Sequence, residues 1–193
     1  MSHQKINSPQ LNSQPLKLNT AGTIGSATQI ASPNFDARPA HEISLIVIHN
    51  ISLPPSQYGG AGIIELFTNC LNPNEHPYYA EIYTRKVSSH FLIRRDGELM
   101  QFVSCLQRAW HAGASQWQGR ERCNDFSVGI ELEGSDFEAF EAIQYKTLKQ
   151  LIACLNKSYP IKAIVGHSDI APGRKTDPGP YFDWEKIKEI NKN

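Results

Sequence analysis

Two short apolar runs each end in a histidine, and this pairing constrains the fold more than any bulk property does. They read Ile46-Val47-Ile48-His49 and Ile161-Lys162-Ala163-Ile164-Val165-Gly166-His167. An unbroken row of β-branched residues suits a strand covered on both faces, and such strands belong to sheets layered with helices. Asp96-Gly97 adds a second constraint. It separates two strand-like stretches, residues 89–95 and 98–103, and is a strong two-residue hairpin signal, so an antiparallel pair must be present as well. The expected class is mixed α/β, with a central mixed β-sheet flanked by helices.

The remaining elements follow from periodicity. Residues 44–49 read as a strand, and residues 63–68 as a short helix after Gly59-Gly60. Residues 126–133 alternate, with Phe126, Val128, Ile130 and Leu132 on one face and Ser127, Gly129, Glu131 and Glu133 on the other. A helix over 141–156 carries Tyr145, Leu148, Leu151, Ile152 and Leu155 along one stripe. A buried strand at 161–165 leads to a Pro/Gly-rich loop at 171–180, after which Asp183 caps a short helix with Trp184, Ile187 and Ile190. Residues 1–30 are rich in Ser, Asn and Gln and poor in large apolar side chains, so they are expected to form a flexible polar extension. Residues 31–193 then form one domain.

Bulk properties mainly exclude. A chain of 193 residues can bury the core of one domain, and 19 basic against 19 acidic residues leave no electrostatic footprint for nucleic acid or an anionic membrane. No run has the length of a transmembrane helix, and no apolar block follows Lys5 as a signal peptide would require. A cytoplasmic monomer is expected. Cys70, Cys105, Cys123 and Cys154 match no zinc-finger or redox spacing and read as free thiols filling small spaces.

The chemistry gathers at strand ends, where sheets of this class deliver side chains into a shared crevice. Asp177 follows His167 within Arg174-Lys175-Thr176-Asp177-Pro178-Gly179-Pro180, a loop whose path Pro and Gly fix. Two imidazoles and one carboxylate make a three-ligand set with a fourth position open to water, which is the pattern of a hydrolytic zinc site. Taken singly, a strand-end histidine is more often a hydrogen-bonded structural residue. His76, His90 and His111 also stay open as ligands.

Glu131 shares its face with the small residues Ser127 and Gly129, a hollow in which a carboxylate could take a proton from water. The alternative is a solvated face with Glu131 and Glu133 as surface charges. Lys175 is two residues from Asp177 and either stabilises an oxyanion at that centre or is a solvated loop lysine. Trp110 and His111, with Arg120 and Arg122 nearby, suit a rim for sugar stacking and carboxylate recognition, or else packed aromatics and structural ion pairs. A cysteine amidase using Cys123 with His111 or His90 is a separate reading, although no helix start that would depress a thiol pKa precedes Phe126.

Read together, residues 47–55, 94–98, 108–113, 119–134 and 166–180 resemble the zinc-dependent N-acetylmuramoyl-L-alanine amidases, in particular those acting in the cytoplasm on 1,6-anhydromuramyl peptides. The likeness spans essentially residues 31–190. It implies the amidase and peptidoglycan-recognition fold, with one zinc per chain held by His49, His167 and Asp177. It also implies Glu131 as proton acceptor and Lys175 as transition-state stabiliser. The implied reaction hydrolyses the amide between the lactyl group of (1,6-anhydro-)N-acetylmuramic acid and L-alanine in recycled muropeptides. Asn50, Trp110, His111 and Arg122 match cleft-lining positions. Lys86 stands where those relatives carry Arg at the peptide end; a lysine cannot form the bidentate fork to a carboxylate, and Arg85 is adjacent. The non-catalytic alternative is a muropeptide-binding module on the same fold, which would lack a complete ligand triad.

Overall fold

This computed structural model describes residues 15–191. Its strands are β1 (Thr28–Gln29), β2 (Phe35–Ala37), β3 (Leu45–Ile51), β4 (Phe91–Ile93), β5 (Leu99–Gln101), β6 (Gln107–Ala109), β7 (Gln116–Trp117), β8 (Arg120–Glu121), β9 (Ser127–Glu133) and β10 (Ala163–Gly166). Its α-helices are α1 (Gly62–Thr68), α2 (Pro77–Ile82), α3 (Ala142–Ser158) and α4 (His167–Ile170). Six strands form the central sheet in the order β1-β5-β4-β9-β3-β10. Strands β4, β9, β3 and β10 run parallel, and β5 returns antiparallel to β4. Gly97 takes φ +85° in the turn joining β4 to β5, a backbone conformation natural to glycine. The mixed sheet is thus the one the sequence requires.

The two faces of the sheet have different jobs. On one, Ile46 and Ile48 of β3 and Val128, Ile130 and Leu132 of β9 pack against Tyr145, Leu148, Leu151, Ile152 and Leu155 of α3. This is the stripe expected from the 3.6-residue period. On the other face, Leu45 and Val47 pack with Ala112, Val165 and Ile170, while Leu92 and Met100 meet Leu66 and Phe67 of α1 and Ile82 of α2. His49, Gly129 and Glu131 belong to this second face by the same alternation.

Several expectations need correction. The flexible extension over 1–30 does not hold for its second half: Ile24 is fully buried, Leu16 and Leu18 pack on the core, and β1 pairs in parallel with β5. The physical reason is a buried glutamine. Gln101 Oε1 accepts the Ile24 N–H at 2.8 Å and its Nε2 donates to the Gly22 carbonyl at 2.9 Å, which satisfies backbone that the polar composition left without a partner. Residues 1–14 lie outside the described residues. Phe126 leaves the α3 face for the opposite cluster, because it closes the 3₁₀ turn Cys123–Asp125 before β9 begins. The last helix is a 3₁₀ segment, Trp184–Asn191, with Asp183 Oδ1 accepting the Glu185 N–H at 3.1 Å as its cap; the Ile190 side chain lies outside the described residues. Helix α2 was not expected. Its signal was Pro77 at the first helical position behind His76, whose ring accepts the Tyr78 N–H at 3.1 Å.

The solvated reading of the Glu131/Glu133 face is also overturned, since all of β9 is buried. Glu133, 1% exposed, accepts from Arg94 Nη1 at 2.7 Å, Gly59 N at 2.8 Å and Arg95 N at 3.1 Å. Removing one partner of a buried pair strands the other charge. Glu133→Ala is therefore expected to lower unfolding stability by about 3–5 kcal/mol, measured by urea titration; a loss below about 1 kcal/mol would show that Arg94 finds water instead.

Candidate metal centre

Strand register sets the site. His49 of β3 is the direct parallel partner of Glu131 on β9, so both side chains leave the same face on neighbouring strands. On the other flank of β3, β10 ends at Gly166, and His167 opens α4 immediately after it. A Cβ on Gly166 would lie 2.7 Å from Pro178 Cδ, so only glycine lets the Asp177 loop close over this strand end. The Ser168 N–H bonds the Asp177 carbonyl at 2.9 Å and ties the loop to α4.

Three polar atoms converge there. His49 Nδ1 is 2.9 Å from Asp177 Oδ2, His167 Nδ1 is 3.0 Å from the same oxygen, and the two Nδ1 atoms are 3.0 Å apart. Such a triangle is close to one face of a tetrahedron built on zinc bonds of about 2.0–2.1 Å, whose edge is about 3.3 Å. Two ring nitrogens that meet over a carboxylate cannot all be satisfied by one shared proton. A cation satisfies all three, and the cluster is able to hold a metal.

Electrostatics prepare the ligands. Burial holds the His49 imidazole down at about 4, against the pull of Asp177, so it is neutral at physiological pH. Burial works to raise the Asp177 carboxyl, but hydrogen bonds to His167 and His49 overcome it and hold the group well below the usual carboxylate range. Glu131 goes the other way: burial, then the Asp177 charge, push it well above the carboxylate range, with Lys175 opposing. Its Oε2 is buried without a hydrogen-bond partner.

The site opens into a cleft of about 370 Å³. Its walls include the three ligand candidates, Glu131, Lys175, Asn50, Trp110 and His111. Lys175 is exposed, and Trp110 is half-buried with its indole N–H buried and unpartnered. Asn50 donates to Asp136 Oδ1 at 2.6 Å and to the Pro178 carbonyl at 3.1 Å, which fastens the Asp177 loop. Two expected rim residues lie elsewhere. Lys86 is exposed and absent from the cleft wall, where Arg85 stands. Arg122, at φ +60° ahead of the Cys123–Asp125 turn, pairs with Asp125 at 3.3 Å and does not reach the cleft. His111 has both ring nitrogens engaged, by His49 and by Ser127. Phe137, 80% exposed at the rim, and Asp136 were not foreseen; nothing in local spacing marks them.

The family model described as N-acetylmuramoyl-L-alanine amidase matches residues 39–180. The chain belongs to the N-acetylmuramoyl-L-alanine amidase family. The 1,6-anhydro-N-acetylmuramyl-L-alanine amidase AmpD of Escherichia coli (strain K12) is 53% identical to it over 172 residues, 88% of this chain and 94% of that protein. A crystal structure of a selenomethionine AmpD derivative aligns with a TM-score of 0.86 at 51% identity, over 88% of this chain and 97% of that one. The amidase AmiD from E. coli, in complex with anhydro-N-acetylmuramic acid-L-Ala-D-γ-Glu-L-Lys, aligns with a TM-score of 0.58 at 30% identity, over 80% of this chain and 60% of that one.

The cysteine reading has no support in this amidase. Cys123 is buried off the cleft wall and burial raises its thiol pKa, while His90 Nδ1 is committed to the Gly129 N–H and its Nε2 to the Gln107 carbonyl. The neutral histidines carry a stability consequence. Burial lowers His90 to about 3 and His49 to about 4, and it holds His111 well below 6.5. The unfolded chain, titrating near 6.5, then binds more protons than the folded one below that pH, so stability is complete above it and falls with acid. In chelator-treated protein three such groups favour a loss of up to about 4 kcal/mol per pH unit between roughly pH 5.5 and 4.5, of which Glu131, protonated in the folded state alone, offsets up to about 1.4. Urea midpoints at pH 7.5, 6.0 and 5.0 should fall steadily, and a flat series would contradict burial of neutral imidazoles.

Proposed function

We propose that this amidase hydrolyses the bond between the lactyl carbonyl of 1,6-anhydro-N-acetylmuramic acid and L-alanine, with one zinc ion on His49, His167 and Asp177. The observation that carries the reading is the 3.0 Å triangle of ligand atoms beside a buried, partnerless carboxylate on Glu131. A zinc ion bound there supplies Lewis acidity toward the scissile carbonyl and lowers the pKa of an attacking water toward about 7.

The chain's own residues do the rest. Glu131, with no competing partner at Oε2, takes a proton from the water in its ionised form, which Lys175 favours against burial and the Asp177 charge. It returns that proton to the alanine nitrogen as the C–N bond breaks, so the peptide leaves as an amine and the lactyl group as an acid, whose proton then passes to the amine to give carboxylate and ammonium. Lys175, on the cleft wall, lends positive charge to the oxyanion oxygen. Trp110, on the cleft wall, offers an aromatic surface to the sugar. The peptide carboxylate is met by Arg85 rather than Lys86, which restores the bidentate fork that lysine cannot make.

The substrate class is supported by the AmpD relatives and by the AmiD complex with an anhydromuramyl tripeptide. In this reading the enzyme is a cytoplasmic monomer acting on fragments recycled from the wall. One chain supplies every group named above, and no helix among the described residues is long and apolar enough to cross a membrane. A module that only binds muropeptide has no use for a buried base beside a complete ligand triad.

Roles separate by variant. Glu131→Ala should keep one zinc per chain and lose at least about 10²-fold in kcat. Asp177→Ala should lose zinc and turnover together. Near-normal turnover by zinc-loaded Glu131→Ala would sink the proposed base.

A further inference from the structure

The two ligand imidazoles are supported from behind by consecutive residues of one segment. With a metal on its Nδ1, His49 would carry its proton on Nε2, 3.0 Å from His111 Nδ1. His111 then carries its own proton on Nε2, 3.1 Å from Ser127 Oγ. His167 repeats the arrangement, with Nδ1 toward Asp177 and Nε2 3.0 Å from the Ala112 carbonyl. The backbone N–H groups of both His111 and Ala112 meet a single acceptor, Asn124 Oδ1, at 3.2 and 2.8 Å. Asn124 is buried and does not touch the cleft. Room for the ring of His111 is built in as well: a Cβ on Gly129 would lie 2.5 Å from His111 Cγ.

We propose that His111-Ala112, clamped by Asn124, is a brace that fixes the tautomer and orientation of both ligand histidines, making His111 and Asn124 positioning residues for the metal. The proposal rests on the assignment of His49 and His167 as ligands. The physical need is general: an imidazole that ligates through one nitrogen must place the proton of the other on a fixed acceptor, and that acceptor sets ring angle and ligand basicity. Here the two acceptors are neighbours on one backbone. A shift of that segment misaligns both ligands at once, and the Asn124 side chain is the handle on it, because the Ala112 carbonyl cannot be removed by substitution. The same geometry moves His111 from substrate contact to ligand support.

The test is the zinc dissociation constant from chelator competition for wild type, Asn124→Ala, Asn124→Asp and His111→Ala, each first shown folded by circular dichroism. Asn124→Ala and His111→Ala should bind zinc about 10–100-fold more weakly, while Asn124→Asp, which keeps the acceptor, should recover most of that loss. At saturating zinc, KM for an anhydromuramyl tripeptide should stay near wild type in His111→Ala, whereas a substrate contact would raise it. Should Asn124→Ala fail to fold, His111→Ala carries the test alone. Unchanged zinc affinity in the folded variants overturns the brace and leaves the metal site standing. A wild type that binds no zinc overturns the ligand assignment, and the brace with it.

Discussion

Three polar atoms, His49 Nδ1, His167 Nδ1 and Asp177 Oδ2, are held within 3.0 Å of one another in a largely buried corner of the domain. Without a cation this is a poor arrangement, since two desolvated imidazoles compete for one carboxylate oxygen. The architecture around it makes sense as the means of holding it. Parallel pairing of β3 with β9 and β10 brings the two histidines and Glu131 to one end of the sheet. Gly166 lets Pro178 approach, and Asn50 ties the incoming loop to Asp136. The α3 side of the sheet is left to supply apolar burial.

Glu131 and Glu133 show how environment assigns chemistry. They lie two residues apart on the same face of one strand, and both are buried. Glu133 meets a guanidinium and two backbone N–H groups, so its charge is neutralised and it serves structure. Glu131 has no partner on its buried oxygen, and burial beside Asp177 raises its pKa, the condition of a carboxyl that can exchange a proton. Residue type alone does not separate the two.

The sheet class and α3 were legible because each rests on a local signal: β-branched runs, Asp-Gly and a 3.6-residue stripe; histidines at strand ends pointed to the His49–His167–Asp177 corner but left His76, His90 and His111 open beside it. Local signals failed where a distant residue decided the outcome. Residues 15–30 look too polar to pack, yet Gln101 and the far edge of the sheet recruit them. Arg122 matches a cleft motif, but the left-handed turn at its own backbone carries the side chain to Asp125. The support behind the ligands was hidden for the same reason. Asn124 lies 75 residues after His49 and 43 before His167 in a sequence that gives no hint of their contact through His111-Ala112.

On this reading a metal held by His49, His167 and Asp177 drives amide hydrolysis of an anhydromuramyl peptide. The most direct measurement follows a purified anhydromuramyl tripeptide by mass spectrometry with chelator-stripped protein, then with the same protein after one equivalent of zinc. Free tripeptide and anhydromuramic acid released only after zinc is added is the predicted result. Release by the stripped protein at the same rate, or none from folded, zinc-loaded protein, would contradict metal-dependent hydrolysis at this site.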